Sequence, residues 1–422
     1  MFSLFYRFIV SPLAFLVLLP ILQAVKIGSP KFRKTLSLRI DETWKTKSLK
    51  NPVWFHCASG EYEYAKPIIR ALKEFRPDLE ILVTYYSPSV ENQLKKAKDI
   101  DLALPLPRDL FFEMAQFIQK QNPKCLLISR TDTWPELVFQ SRQLGVPNLL
   151  FSATLSEQST RARGLSRLLY SEVFNQINDI YCVSEADHRS FLGMGVKTNI
   201  EVCGDSRFDQ VLHRVENGNP IKDFLFKNID NSIIVAGSTW KEDESVLVNS
   251  KFLTQNPVSW VIAPHEPSED HLDHLEAELA KSGYKSDRYT DIESWDGESV
   301  LIIDCVGILA DIYKFADFAF VGGSFKKTVH SVMEPLACGC ITFVGPYHEN
   351  NREALEFRAL PVANSRDLNV VNSFTSPSVL AQNLDTWSGQ DLAPYKQAIK
   401  NEVISKSGAS QSVLNWIAKV IE

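Results

Sequence analysis

No two cysteines form a CxxC pair in the 422 residues, and the seven present (Cys57, Cys125, Cys182, Cys203, Cys305, Cys338, Cys340) are odd in number. Most sit in apolar runs, which excludes a disulfide framework and reads as small buried residues in a reducing compartment. Cys338-x-Cys340 lacks a His/Cys pair at zinc-finger spacing, so no metal site is expected there. Positive charge is not in excess either. With 45 Lys and Arg against 51 Asp and Glu the balance is −6, which excludes general attraction to nucleic acid and leaves only local polyanion contacts. Internal repeats and low-complexity tracts are absent. At 45% hydrophobic and 23% charged residues the chain is a folded body, long enough for two domains with separate cores.

Several catalytic signatures are missing as well: the Gly-x-x-x-x-Gly-Lys phosphate loop, the Gly-x-Gly-x-x-Gly dinucleotide fingerprint, His-Glu-x-x-His and the Gly-x-Ser-x-Gly elbow. Asp99-Ile100-Asp101 has the Asp-x-Asp pattern of metal-dependent sugar transferases, but it precedes a short strand and reads as a solvated turn.

The charge that is present is unevenly spread. Residues 1–50 carry nine Lys or Arg against two acids, a local +7 that leaves −13 for the remainder. Beside it lies an uncharged run, Phe8 to Val25, near the lower limit of about 17–25 residues for crossing a bilayer. A membrane anchor over residues 1–28 is the leading reading. Gln23-Ala24-Val25-Lys26 makes a poor cleavage site for a secretory signal. Pro12 and Pro20 would kink or break a helix, so a shallow interfacial helix and a full span both remain open. The following cations are expected to put the body on the cytoplasmic face of that membrane.

Beyond residue 50, short apolar runs alternate with amphipathic stretches, the pattern of βαβ units around a parallel sheet. Strands are expected at Val53–Cys57, Glu80–Tyr85, Leu102–Leu104, Cys125–Ser129, Asn148–Ser152 and Asp179–Val183, with helices such as Glu61–Phe75 and Pro135–Leu144. A polar stretch within 211–231 reads as a linker. The alternation resumes with strands at Ile233–Ala236, Trp260–Ala263, Val300–Ile303, Phe318–Val321 and Ile341–Val344, and with a helix at Glu242–Phe252. The expected architecture is α/β: two Rossmann-like doubly wound domains, 29–210 and 232–422, with a cleft between them. Chemistry is to be sought just after each strand.

His56-Cys57-Ala58-Ser59-Gly60-Glu61 follows the first strand and opens a helix. Glu61 there is either a general base or a complement to the helix dipole, and Ser59 reads as a cap. In Ser129-Arg130-Thr131-Asp132-Thr133-Trp134-Pro135, Asp132 or Thr133 is expected to cap the helix that Pro135 enters, while Arg130 is placed to bind an anion. In the second half, Val321-Gly322-Gly323-Ser324 ends a strand and leads through His330 to Glu334-Pro335. That run suits a nucleotide, with backbone and Ser324 on phosphate and Glu334 on ribose hydroxyls. Ser238-Thr239 and His265-Glu266 end two further strands of the same half.

Together these motifs resemble the 3-deoxy-D-manno-octulosonic acid (Kdo) transferases of lipopolysaccharide synthesis. The likeness spans the basic-flanked anchor, Gly60-Glu61-Tyr62-Glu63, Asp132-x-Trp134-Pro135, Ser184-Glu185-x-Asp187, Gly204-Asp205-x-Arg207-Phe208-Asp209, Gly237-Ser238-Thr239, Gly322-Gly323-Ser324 and His330-x-x-x-Glu334-Pro335. The resemblance implies a GT-B fold that moves Kdo from CMP-Kdo to a lipid A precursor, without metal or cofactor. It implies Glu61 as catalytic base, Gly322, Gly323, Ser324, His330 and Glu334 as donor-binding, and Ser238, Thr239, His265 and Glu266 in donor-side segments. Ser59, Arg130 and Asp132 fall to the acceptor side. Arg130-x-Asp132 stands where many members carry Glu-x-Glu, and His265-Glu266 where they carry Arg-His. The alternatives are a GT-B enzyme using a UDP-sugar and a membrane-tethered nucleotide-sugar sensor.

Overall fold

The apolar runs form two seven-stranded sheets in which every strand pairing is parallel. A computed structural model of the chain describes residues 2–24, 29–248, 258–361, 369–387 and 390–421. Its contacts divide into two units, Met1–Gln210 with Lys406–Glu422, and Val211–Ser405.

In the first unit the strands are β1 (Val53–His56), β2 (Ile81–Tyr85), β3 (Leu102–Pro105), β4 (Cys125–Ser129), β5 (Asn148–Ala153), β6 (Asp179–Cys182) and β7 (Asn199–Val202). Their order in the sheet is β3-β2-β1-β4-β5-β6-β7. β1, β2, β4 and β5 are buried throughout, as expected of strands covered on both faces. One face packs around Trp54, Phe117, Leu126 and Phe174, the other around Phe55, Ile68, Leu127 and Phe151. The winding direction reverses between β1 and β4, and in such sheets ligands bind beyond the carboxyl ends of the strands at that point.

In the second unit the strands are β8 (Ser232–Thr239), β9 (Val258–Pro264), β10 (Ser286–Arg288), β11 (Val300–Ile302), β12 (Phe318–Val321), β13 (Ile341–Val344) and β14 (Val371–Ser373). The order β10-β11-β9-β8-β12-β13-β14 reverses between β8 and β12.

Three expectations need correction. The second domain does not run to residue 422: the last helix, Ala409–Ile421, packs Val413, Trp416 and Ile417 into the first unit's core, and Trp416 Nε1 donates to Asp179 at 2.8 Å. The stretch expected as a linker begins inside the helix Ser206–Glu216, with a further short turn at Asp223–Phe226. Pro12 and Pro20 do not break the N-terminal helix, which is continuous over Phe2–Gln23. Two wide π-type stretches, Tyr6–Val10 and Leu13–Leu18, flank Pro12 and accommodate a ring that an α-turn would reject. Among the described residues this is the one helix long and apolar enough to cross a membrane. Residues 25–28 of the expected anchor, and the end of the helix expected to reach Phe252, lie outside the described residues. The observed part of that helix is Lys241–Val248.

Candidate functional site

At the β1/β4 reversal, the turn after β1 enters the helix Tyr62–Phe75. Glu61 is the residue before its first turn, with its carboxylate folded back to accept the Ser59 N–H at 2.8 Å. Its carbonyl accepts from the Ser129 hydroxyl at 3.0 Å, tying the ends of β1 and β4 together. Ser59 is not the cap expected of it: its carbonyl receives the Tyr62 N–H and its hydroxyl pairs with Ser89 at 2.9 Å. The Glu61 carboxylate is therefore oriented by one amide and is partly open to solvent.

Asp132, after β4, does not cap the next helix. His56, buried at the end of β1, meets Asp132 through Nε2 at 2.9 Å and the Thr84 hydroxyl through Nδ1 at 3.0 Å. Burial would raise the Asp132 carboxyl, but the bonds from His56 and Trp134 outweigh it and hold the group below its ordinary range. The helix Pro135–Gln143 takes its cap from afar, the Asp109 carboxylate accepting the N–H groups of Glu136 (3.1 Å) and Leu137 (3.0 Å). A cap supplied from a distant loop leaves no local sequence signal, which is why Asp132 and Thr133 were the natural candidates.

Arg130 adopts φ +61° and lays its guanidinium over the Tyr64 ring at 5.1 Å, bonding that hydroxyl and Thr154 Oγ1 (3.0 Å). Arg207, from the Gly204-Asp205-x-Arg207 motif, approaches the same ring at 5.4 Å and its hydroxyl at 3.3 Å. Two cations thus converge on one phenol, a grouping that the motif order alone does not reveal.

The reversal of the second unit joins the ends of β8 and β12. Gly322 is needed there because a Cβ would stand 2.3 Å from the Ser238 carbonyl. Gly323, at φ +82°, would meet the Thr328 carbonyl at 2.2 Å. The turn's amides are not free for a phosphate as expected. Buried Asp243 accepts from Gly323 (2.7 Å), Phe325 (3.0 Å) and Trp240 (2.9 Å). Burial pushes its carboxyl up, against the opposing pull of those three amides. The Ser324 hydroxyl is likewise buried, donating to Val321 O (3.0 Å) and accepting from Gly345 N (2.7 Å). Thr239 is sealed too, its hydroxyl on Glu244 at 2.8 Å, with His271 behind at 2.9 Å. The side-chain roles expected of Ser324 and Thr239 are corrected: the turn is a backbone clamp.

What faces outward around that clamp is a stack of rings. His265, exposed after β9, lies on His330 at 4.2 Å with a 21° tilt, and the Trp240 ring is 4.9 Å from His265. Trp240 Nε1 donates to His330 Nε2 at 3.0 Å, and Lys326 Nζ sits 3.5 Å over the Trp240 ring. Burial, with His265 and Lys326 adding to it, pushes His330 down to about 4. Ser238, at φ +55°, is half-buried at the same strand end. Glu334 opens the helix Met333–Ala337 with Arg214 3.6 Å away, and Glu266 is exposed beside His265. Trp240, Asp243 and Lys326 are site residues the motifs did not single out.

Residues 33–210 match the family model described as 3-deoxy-D-manno-octulosonic-acid transferase (kdotransferase). The chain is 26% identical over 353 residues, 81% of each chain, to the 3-deoxy-D-manno-octulosonic acid transferase of Chlamydophila psittaci. To that of Aquifex aeolicus it is 28% identical over 317 residues, 74% of this chain and 80% of the other. Among solved structures, the UDP-GlcNAc 2-epimerase of Neisseria meningitidis shares the fold at TM-score 0.56 and 13% identity, over 89% of this chain and 99% of that one. Acinetobacter baumannii MurG does so at 0.54 and 12%, over 87% and 99%. Two parallel sheets, each with its polar turn at the strand-order reversal, give the GT-B-like fold that these structures share. The sequence relatives make the chain a glycosyltransferase, similar over most of its length to 3-deoxy-D-manno-octulosonic acid transferases.

Proposed function

We propose that this glycosyltransferase moves Kdo from CMP-Kdo to a sugar hydroxyl of a lipid A precursor at the cytoplasmic face of the inner membrane, with Glu61 as general base. The observation that carries the reading is the Glu61 carboxylate itself, part-exposed at the β1/β4 reversal and oriented by the Ser59 amide at 2.8 Å. A base so held needs only to come within about 2.6–3.2 Å of the acceptor hydroxyl to take its proton as the anomeric carbon is attacked and CMP leaves. Arg130, with Ser59 and Asp132 nearby, lines the acceptor side, its guanidinium available to an anionic substituent. On the donor side, the exposed His265 ring and Trp240 offer a flat surface to the base, Lys326 a cation to the phosphate, and Glu334 an acceptor for ribose hydroxyls. A single phosphate in the leaving group makes charge compensation by side chains such as Lys326 sufficient, without a metal in the proposed step.

The test incubates the purified full chain with CMP-Kdo and a lipid A precursor and follows the lipid by mass spectrometry. A gain of one or more Kdo residues is expected, falling by about 10²-fold or more in Glu61→Gln. CMP should still raise the melting temperature of that variant. Full activity in Glu61→Gln would move the base to Asp132, and stabilisation by UDP in place of CMP would reject the donor.

A further inference from the structure

The N-terminal helix is amphipathic in the reverse sense of a soluble one. Its polar residues face the protein. The Ser3 N–H donates to Glu172 Oε2 at 2.9 Å, the Tyr6 hydroxyl to Asp109 Oδ2 at 2.7 Å, and Arg7 grips buried Glu136 with two bonds of 2.7 and 3.0 Å. The Ser11 hydroxyl reaches the Asp109 carbonyl, the Phe15 ring lies 6.4 Å from Trp134, and Gln23 Nε2 donates to Leu36 O at 2.8 Å. Positions 3, 7, 11, 15, 19 and 23 form this seam, Leu19 being buried. In an α-helix a row spaced by four drifts by about 40° per step. The two wide π stretches reduce that drift and keep the row on one side.

The apolar residues face away. Phe5, Phe8, Ile9, Leu13, Leu16 and Val17 are between 47% and 68% exposed, a continuous patch no aqueous helix would carry. Ser3 and Phe15 contact the first unit directly, and Gln23 bonds Leu36 of the next helix, whose Leu38 packs into that unit's core, so both ends of the helix are tied to the same body. Crossing the bilayer would require tearing Arg7 from Glu136 and leaving a buried carboxylate without its cation. The helix that follows, Pro30–Leu38, exposes Lys31 and Arg33, cations suited to acidic headgroups.

We infer that the helix lies in the plane of the membrane, sunk into one leaflet of an anionic lipid surface by its apolar side and clamped to the first unit by its polar side. The inference rests on the membrane part of the proposed function and deepens it. Phe15 touches Trp134, whose indole donates to Asp132 at 3.2 Å, so the lipid-facing helix adjoins the segment assigned to the acceptor. A lipid acceptor can therefore present its sugar there while its acyl chains stay in the leaflet.

The experiment places a short epitope tag ahead of residue 1 of the full chain and adds protease to everted inner-membrane vesicles and to spheroplasts of the expressing bacterium. An in-plane helix leaves tag and body cleavable together in everted vesicles and both protected in spheroplasts. Cleavage of the tag in spheroplasts overturns the inference. A second arm uses the double substitution Phe8→Glu and Leu16→Glu, both at exposed positions. Binding to vesicles of about 20% anionic lipid should fall about tenfold or more, with thermal unfolding unchanged. Retained binding overturns the inference. Neither readout measures sugar transfer, so a failed transferase reading is distinguished from a failed topology.

Discussion

His330 accepts from the Trp240 indole through Nε2, so that nitrogen is unprotonated and the ring hydrogen sits on Nδ1. With its folded value pushed to about 4, below the ordinary 6.5, the fold favours the neutral ring. The stability this contributes is complete above pH 6.5 and is lost as pH falls toward 4, where the unfolded chain takes up a proton first. The melting temperature should therefore decline across that window, and more gently in His330→Gln, which keeps an acceptor but does not titrate. Equal slopes in parent and variant would remove His330 as the cause. The neighbouring glycines carry the contrasting lesson. Gly322 and Gly323 were legible as a tight turn, yet what they admit is backbone, at Ser238 and Thr328, rather than a phosphate.

Among elements, Asp109 shows how one side chain fixes two helices. It caps Pro135–Gln143 and receives the Tyr6 hydroxyl of the N-terminal helix. Asp109→Ala should cost about 2 kcal/mol in chemical denaturation, at the upper end for a lost cap, because two buried amides lose their acceptor. No measurable loss would mean that water replaces the carboxylate. The central strands were readable because both faces are covered, which gives uninterrupted apolar runs such as Cys125–Ser129. The missed strands, Asn199–Val202, Ser286–Arg288 and Val371–Ser373, are all sheet edges with polar side chains. In the candidate site, Glu61 and Asp132 were visible because each follows a strand. Asp243 was not, since its partners Gly323 and Phe325 lie about eighty positions away and pairing of that range leaves no local pattern.

On the scale of the whole molecule, the proposed attachment rests on two forces, and salt separates them. Lys31 and Arg33 contribute roughly 1 kcal/mol each near an acidic surface, and that part is screened as the Debye length shrinks to about 3 Å at 1 M. The apolar helix face is indifferent to salt. Raising salt from about 0.1 to 1 M should weaken vesicle binding by up to about thirtyfold without abolishing it, as co-sedimentation can check. Complete release would make the attachment purely ionic.

The return of the last helix to the first unit has a temporal consequence. Val413, Trp416 and Ile417 complete a core begun at Val53, with roughly 200 residues of another unit translated in between. At about 5–20 residues per second, the front half waits some tens of seconds on the ribosome with an unfilled apolar groove, while its hydrophobic leader is already free to meet lipid. Docking to the bilayer can thus precede completion of the fold, and a chain that stops short of the final helix strands its first half unfinished.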